Sequence, residues 1–331
     1  MKFGPVSVAD AGGAILAHSV RLPEGRLRKG VKLEPSHLAA LSEAGHDEIV
    51  VARLDENDLH EDDAARQLAE ALATGREALH LTEAFTGRVN LIAAHPGVVR
   101  LNAEAIHAAN SVDPAITIAT VAPFHQIHPG GMVATVKIIP YGVEKASVIR
   151  ACEGLRGAID LARPVFQTVS LIVSEIPGGP GTKGIEAISK RVSGLGLELI
   201  DTQTCTHDRK GLAEALTTAR GEVILILTGS ATSDAADTAP AALRLAGGSL
   251  ERFGMPVDPG NLLFLGALDE RPVIGLPGSA RSPVLHGADW VLSRVVCGIE
   301  VTRADIARMG VGGLLKEIPT RPQPRGGRRS V

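Results

Sequence analysis

The sequence predicts an α/β protein, with a mainly parallel sheet covered by helices on both faces in its C-terminal half and a smaller mixed α+β region before it. Three observations predict it. From Val165 the chain alternates strand, helix, strand, helix, strand. Those strands are continuous apolar runs, the pattern of parallel strands buried on both faces. Segments rich in glycine and hydroxyl side chains follow them, at the strand ends where a doubly wound sheet takes its ligands.

Composition bounds the rest. The chain has 331 residues, enough for two domains or three small ones. It is 44% hydrophobic but only 2% aromatic, so its cores must be aliphatic. The lack of aromatic platforms and a net charge of -3 argue against a nucleic-acid partner. Cys152, Cys205 and Cys297 form no CxxC pair, which favours reduced thiols over a zinc knuckle or a disulfide framework. No signal-peptide core opens the chain, and no apolar run reaches the ~18 residues of a membrane helix. The expectation is a soluble cytoplasmic protein with no membrane partner.

The elements follow in order. Residues 1–86 read as a β-rich region, with short apolar runs at Ala14–Ala17 and Glu48–Val51 around a helix from Pro35 that ends near Gly45. The acidic run at 55–63 reads as the start of a helix through Ala71, where the dipole favours carboxylates; a cation site is the alternative. Residues 87–160 form a mixed α/β middle region, with strands at Val89–Ala93, Thr117–Val121 and Gly131–Pro140 and a helix at Ala103–Ala109. His95, His125 and His128 lie near one another in sequence. Ordinary loop histidines are the reading, zinc the alternative, since further ligands are missing nearby.

Residues 161–300 carry the α/β pattern. Strands are expected at Val169–Val173, Leu197–Ile200 and Glu222–Thr228, the last being the most hydrophobic. One helix carries Ile185, Ile188, Val192 and Leu195 on one face, and another covers Asp208–Ala219. A hairpin turns at Asp269-Glu270. A final helix covers Pro283 to Cys297, with Ser282 as its cap, Pro283 at its first position and Gly298 as its stop. Residues 301–331 add a C-terminal helix and a basic tail, Lys316 to Arg329, which reads either as a linker to a partner domain or as a plain disordered end.

Three corners are candidate binding loops. The first, SEIPGGPGTKG, runs from Ser174 and contains Gly181 and Lys183; its glycines permit close backbone approach and the lysine offsets anionic charge. It fails the Walker spacing, and a simple turn is the alternative. The second, Thr228–Asp237, carries Gly229, Ser230 and Thr232, small residues that aim amides and hydroxyls at a phosphate. Asp237 also suits a helix cap. The third, GLPGSARSP, offers Pro277, Gly278 and Ser279: a rigid turn at a strand end that presents free N–H groups to an anion.

The second and third corners, TGSATSDAAD and GLPGSARSP, with MPVDPGN and a strand hairpin between them, resemble the molybdopterin-binding domain of the molybdopterin molybdotransferases and adenylyltransferases. The resemblance is good over 165–297 and loose over 1–54. It implies a three-layer α/β/α domain with the terminal phosphate of molybdopterin on Gly229–Thr232 and beside Gly278–Ser279. It gives Asp208 and Asp237 catalytic roles in magnesium or nucleotide chemistry, with Mg2+ as a further cofactor. Ser230, Ser279-Ala280, Asp258 and Asn261 depart from the family pattern, the last two where it has lysines. The implied function is binding or hand-over of molybdopterin, or its nucleotide form, in molybdenum cofactor biosynthesis. An active transferase and a non-catalytic scaffold are the alternatives. A homo-oligomer and a cytidylyltransferase-like partner domain are also implied.

Overall fold

The computed structural model describes residues 1–75 and 77–315. The chain forms two compact units. The first comprises Met1–His95, Val99–Pro123 and Pro129–Leu161; the second comprises Pro96–Val98, Phe124–His128 and the chain from Ala162. The basic tail at Lys316–Arg329, with the partner domain expected beyond it, lies outside the described residues.

In the first unit, Lys2–Ser7 pairs antiparallel with Glu48–Arg53, and Ile15–Leu16 lies on the other side of the latter. The helix between Ile15–Leu16 and Glu48–Arg53, Pro35–Glu43, starts on its proline as the sequence predicts. A four-stranded antiparallel sheet follows, in the order Ile116–Thr120, Met132–Ile138, Arg88–Ala93, Leu79–Leu81. The acidic run does open a helix, Glu61–Leu72, with three carboxylates in its first turn. Glu61 itself is buried beside Lys137, and burial raises its pKa against the attraction of that lysine.

The second unit holds the six-stranded sheet. Its elements are β1 (Thr168–Glu175), α1 (Ile185–Gly194), β2 (Glu198–Thr206), α2 (Arg209–Thr218), β3 (Val223–Leu227), α3 (Thr238–Leu245), β4 (Ser249–Phe253), β5 (Phe264–Leu268), β6 (Arg271–Leu276), α4 (Gly287–Val296) and α5 (Arg303–Arg308). The strand order is β2-β1-β3-β6-β5-β4. The first four run parallel, and β5 and β4 are antiparallel to their neighbours. The architecture is mixed α/β.

Alternation within the strands sorts the core. Val169, Leu171 and Val173 of β1 and Val223, Leu225 and Leu227 of β3 pack with Ile188 and Val192 of α1 and Val291, Leu292 and Val296 of α4. Ile172, Ile224 and Ile226 point the other way, onto Leu212 and Leu216 of α2 and Ala242 and Leu243 of α3. Both faces of β3 are therefore apolar and all five of its residues are buried. Each such side chain stabilises the fold by roughly 1.5–3 kcal/mol.

The hairpin turns where expected: Leu268 pairs with Arg271, and Asp269 and Glu270 both have positive φ, as a two-residue hairpin turn of this hand requires. Helix α4 differs from the expectation. It begins at Gly287, not Pro283, and its cap is His286, whose ring accepts the Ala288 amide while Asp289 accepts the His286 amide. The carbonyls of Ser282 and Val284 are taken by Arg191, so the chain from Ser282 stays out of the helix for four more residues. Among the described residues, no helix is long and apolar enough to cross a membrane.

Candidate functional site

Two buried serines interrupt the apolar run of β1, and each ties down a neighbouring loop. The Ser170 hydroxyl accepts the amides of Arg220 (3.1 Å) and Gly221 (2.8 Å) at the entry to β3. Ser174, at the carboxyl end, is fully buried; its hydroxyl accepts the Gly229 amide at 3.2 Å and pairs with His207 Nδ1 at 2.8 Å. One hydroxyl thus joins the ends of β1, β2 and β3. A side chain at Gly229 would lie 2.7 Å from the Ser174 carbonyl oxygen, so only glycine allows this closeness.

The three predicted corners lie along this carboxyl rim, and a residue that sequence reasoning did not single out holds them together. Arg281, just past β6, donates to the carbonyls of Gly181 (2.9 Å) and Lys183 in the first corner. It also donates to the Thr228 carbonyl (2.9 Å), which opens the second corner. Gly184, with φ of +97°, packs so close that a side chain there would meet the Arg281 Cα at 2.6 Å. Nothing in the local sequence marks Arg281, because its partners are about a hundred and about fifty residues away.

Among the predicted site residues, Lys183 and Ser230 are exposed, Thr232 and Pro277 buried, Gly278 exposed and Ser279 partly buried. The amides of Gly229 and Ser233 are used inside the protein, by Ser174 Oγ and Asp237 Oδ2. Those of Ser230, Ala231, Thr232, Gly278 and Ser279 donate to no group among the described residues. Gly278 needs no special conformation, and a side chain there would meet nothing within 4 Å. Its lack of a side chain leaves space beside the free amides.

Asp208 and Asp237 both cap helices. Asp208 Oδ1 accepts the Gly211 amide at 2.8 Å at the start of α2. Asp237 accepts the Thr238 amide (2.6 Å) with one oxygen and the Ser233 amide (2.8 Å) with the other. These amides are the main cause of both carboxyls lying below the usual range; the Thr206 hydroxyl adds to the effect at Asp208, and nearby His207 contributes a little to both. Cys205 shows the opposite effect, pushed up to about 11 by burial first and then by the charges of Asp208 and Glu175.

Replacing Asp237 with Ala is expected to cost about 1 kcal/mol at neutral pH through the lost cap. A depressed carboxyl stabilises fully above its unfolded pKa of about 3.9 and loses that contribution as pH falls through the lower folded value. The gap between wild type and variant in urea denaturation should therefore be constant from neutral pH to about pH 4 and narrow below it.

No group of three or more His, Cys, Asp or Glu suited to a metal occurs among the described residues, His95, His125 and His128 included. A magnesium ion that arrives on a phosphate needs only one or two protein carboxylates. Asp208 and Asp237 are carboxylates at the rim, and each is engaged in capping a helix.

A sheet whose parallel strands end in glycine-rich corners defines the second unit as a mixed α/β fold. Comparison with known proteins is narrower. Residues 5–53 match a domain of unknown function, DUF8806. No curated protein matches. Among solved structures, a molybdopterin biosynthesis MoeA protein from Pyrococcus horikoshii shares 14% identity, covering 90% of this chain and 75% of its own, with a TM-score of 0.33. A molybdenum cofactor biosynthesis protein from Pyrococcus furiosus shares 13%, covering 91% and 66%, with a TM-score of 0.26. A further MoeA structure from Pyrococcus horikoshii shares 12%, covering 90% and 76%, with a TM-score of 0.25.

Proposed function

We propose that the second unit is a three-layer α/β/α module that binds molybdopterin and serves in biosynthesis or hand-over of the molybdenum cofactor. The observation that carries this reading is the set of free amides at Ser230–Thr232 and Gly278–Ser279, on two corners that Arg281 fastens together. Main-chain donors held by a rigid scaffold suit the terminal phosphate of the pterin, which needs several hydrogen bonds at fixed places. Ser174 orders the second corner from below, and Gly181 and Lys183 border the same rim.

The test is a titration of the purified chain with molybdopterin, alone and with molybdate or a nucleotide. Wild type should bind. Gly278→Leu should leave the melting temperature nearly unchanged, since the site is open and the backbone ordinary there, yet weaken binding at least tenfold. Binding equal to wild type in that variant would place the ligand elsewhere.

A transferase reading rests on one observation: Asp208 and Asp237 both stand at helix starts on the carboxyl rim of the sheet. In that reading the two carboxylates hold the magnesium of a nucleotide. Asp237→Asn keeps a good helix cap and removes the charge. Loss of turnover with binding intact would favour the enzyme over the hand-over protein. A scaffold that keeps only the fold would bind nothing in either assay.

A further inference from the structure

Arg281 is a half-buried cation that spends its donors on neutral groups. Its guanidinium bonds the carbonyls of Gly181, Lys183 and Thr228, and among the described residues no carboxylate lies within ion-pair distance of it. The contrast with Arg191 in the same unit is direct: that guanidinium also holds carbonyls, but Asp289 neutralises it at 2.6 Å. Carbonyl dipoles orient a guanidinium without cancelling its charge, and partial burial weakens solvent screening. Other charges border the rim. Glu175 reaches toward Gly181, Arg209 and Arg244 hold the Ala236 and Ala235 carbonyls, and Asp208, Asp237 and the exposed Lys183 complete the set. Arg281 differs from all of these in touching two corners from a position on the third.

Resting on the molybdopterin-site reading above, we infer that Arg281 supplies the fixed positive charge met by the phosphate of an anionic ligand at this rim. It acts as a positioning residue, through space, while its N–H groups stay on the three carbonyls. The ligand's phosphate takes the free amides, and the guanidinium behind them makes a phosphate dianion preferable to a neutral ligand of the same shape.

The probe is inorganic pyrophosphate, titrated into the full chain at low and at physiological salt. Binding is read by calorimetry and by the amide shifts of Ser230–Thr232. Arg281→Gln should weaken binding about tenfold at low salt, with a smaller effect at high salt. Arg281→Lys, which keeps the charge and loses the fork, should stay within about threefold of wild type. Equal weakening by Lys and Gln would make Arg281 a mechanical clamp only, and wild-type binding by the Gln variant would overturn the inference outright. Should the Gln variant unfold, the Lys variant decides by its salt dependence: a slope like wild type supports the inference, a flat one overturns it. Absence of pyrophosphate shifts at these amides in wild type would instead overturn the anion site itself, and this inference with it.

Discussion

Gly275→Ala should lower the free energy of unfolding by about 3 kcal/mol, as a clash inside a closed core does. Gly275 lies in β6 directly opposite Phe264 of β5. A single methyl there would fall 1.9 Å from a Phe264 ring carbon. The ring cannot retreat: Phe264 is fully buried among Ile224, Ile226 and Leu243. Phe264→Ala alone should cost about 3–5 kcal/mol through the cavity it leaves. The double variant should cost less than the sum, because the alanine methyl enters the space the ring vacates, with a coupling of at least about 1 kcal/mol. Urea denaturation with unchanged m-values measures all three. Strict additivity would mean that the ring does not cover Gly275.

Arg191→Met is the second large effect, at about 3–5 kcal/mol, because it leaves a buried carboxylate without its partner. The Arg191 and Asp289 side chains are only 10% and 11% exposed. The same guanidinium takes the carbonyls of Ala280 (2.9 Å), Ser282 (2.7 Å) and Val284 (3.0 Å), so its loss also frees the third corner and the residues just after it. Asp289→Asn keeps an acceptor for the His286 amide and should cost clearly less. Thermal unfolding should separate the two, with Arg191→Met lowering Tm by roughly 10 °C for a unit of this size. Equal shifts for both variants would show that loss of the pair's own bonds, not the charge left on an unpartnered carboxylate, carries the effect.

What the sequence made legible were features that depend on near neighbours. The runs at Val169–Val173 and Glu222–Thr228 mark β1 and β3 because burial on both faces keeps charged residues out of the strand centres. Asp208 and Asp237 announce α2 and α3 because a cap acts within three residues. Asp269-Glu270 marks the hairpin by separating two apolar runs.

The signals that failed depend on distant partners. Ser282-Pro283 has the chemistry of a helix start, yet Arg191 holds the adjoining carbonyls and delays α4 to Gly287. The strand Ser249–Phe253 was not expected, since its mixed SLERF pattern gives no clear period at the sheet edge. Ser174 was marked as a candidate ligand-binding residue, but the structure gives its hydroxyl to Gly229 and His207, beneath the loop. Arg281 had no local sign at all. The glycines of the three corners were legible; the residue that joins them was not.

The burial of β3 on both faces bears on timing. Its amides are closed in by β1 and β6 and by side chains above and below, so their hydrogens should exchange with solvent only when the whole unit comes apart. The second corner springs from the end of that strand and inherits a root that stays still for as long as the unit survives. A visiting anion would find its hydrogen-bond donors already in formation, and little of the energy of contact would be lost in arranging them.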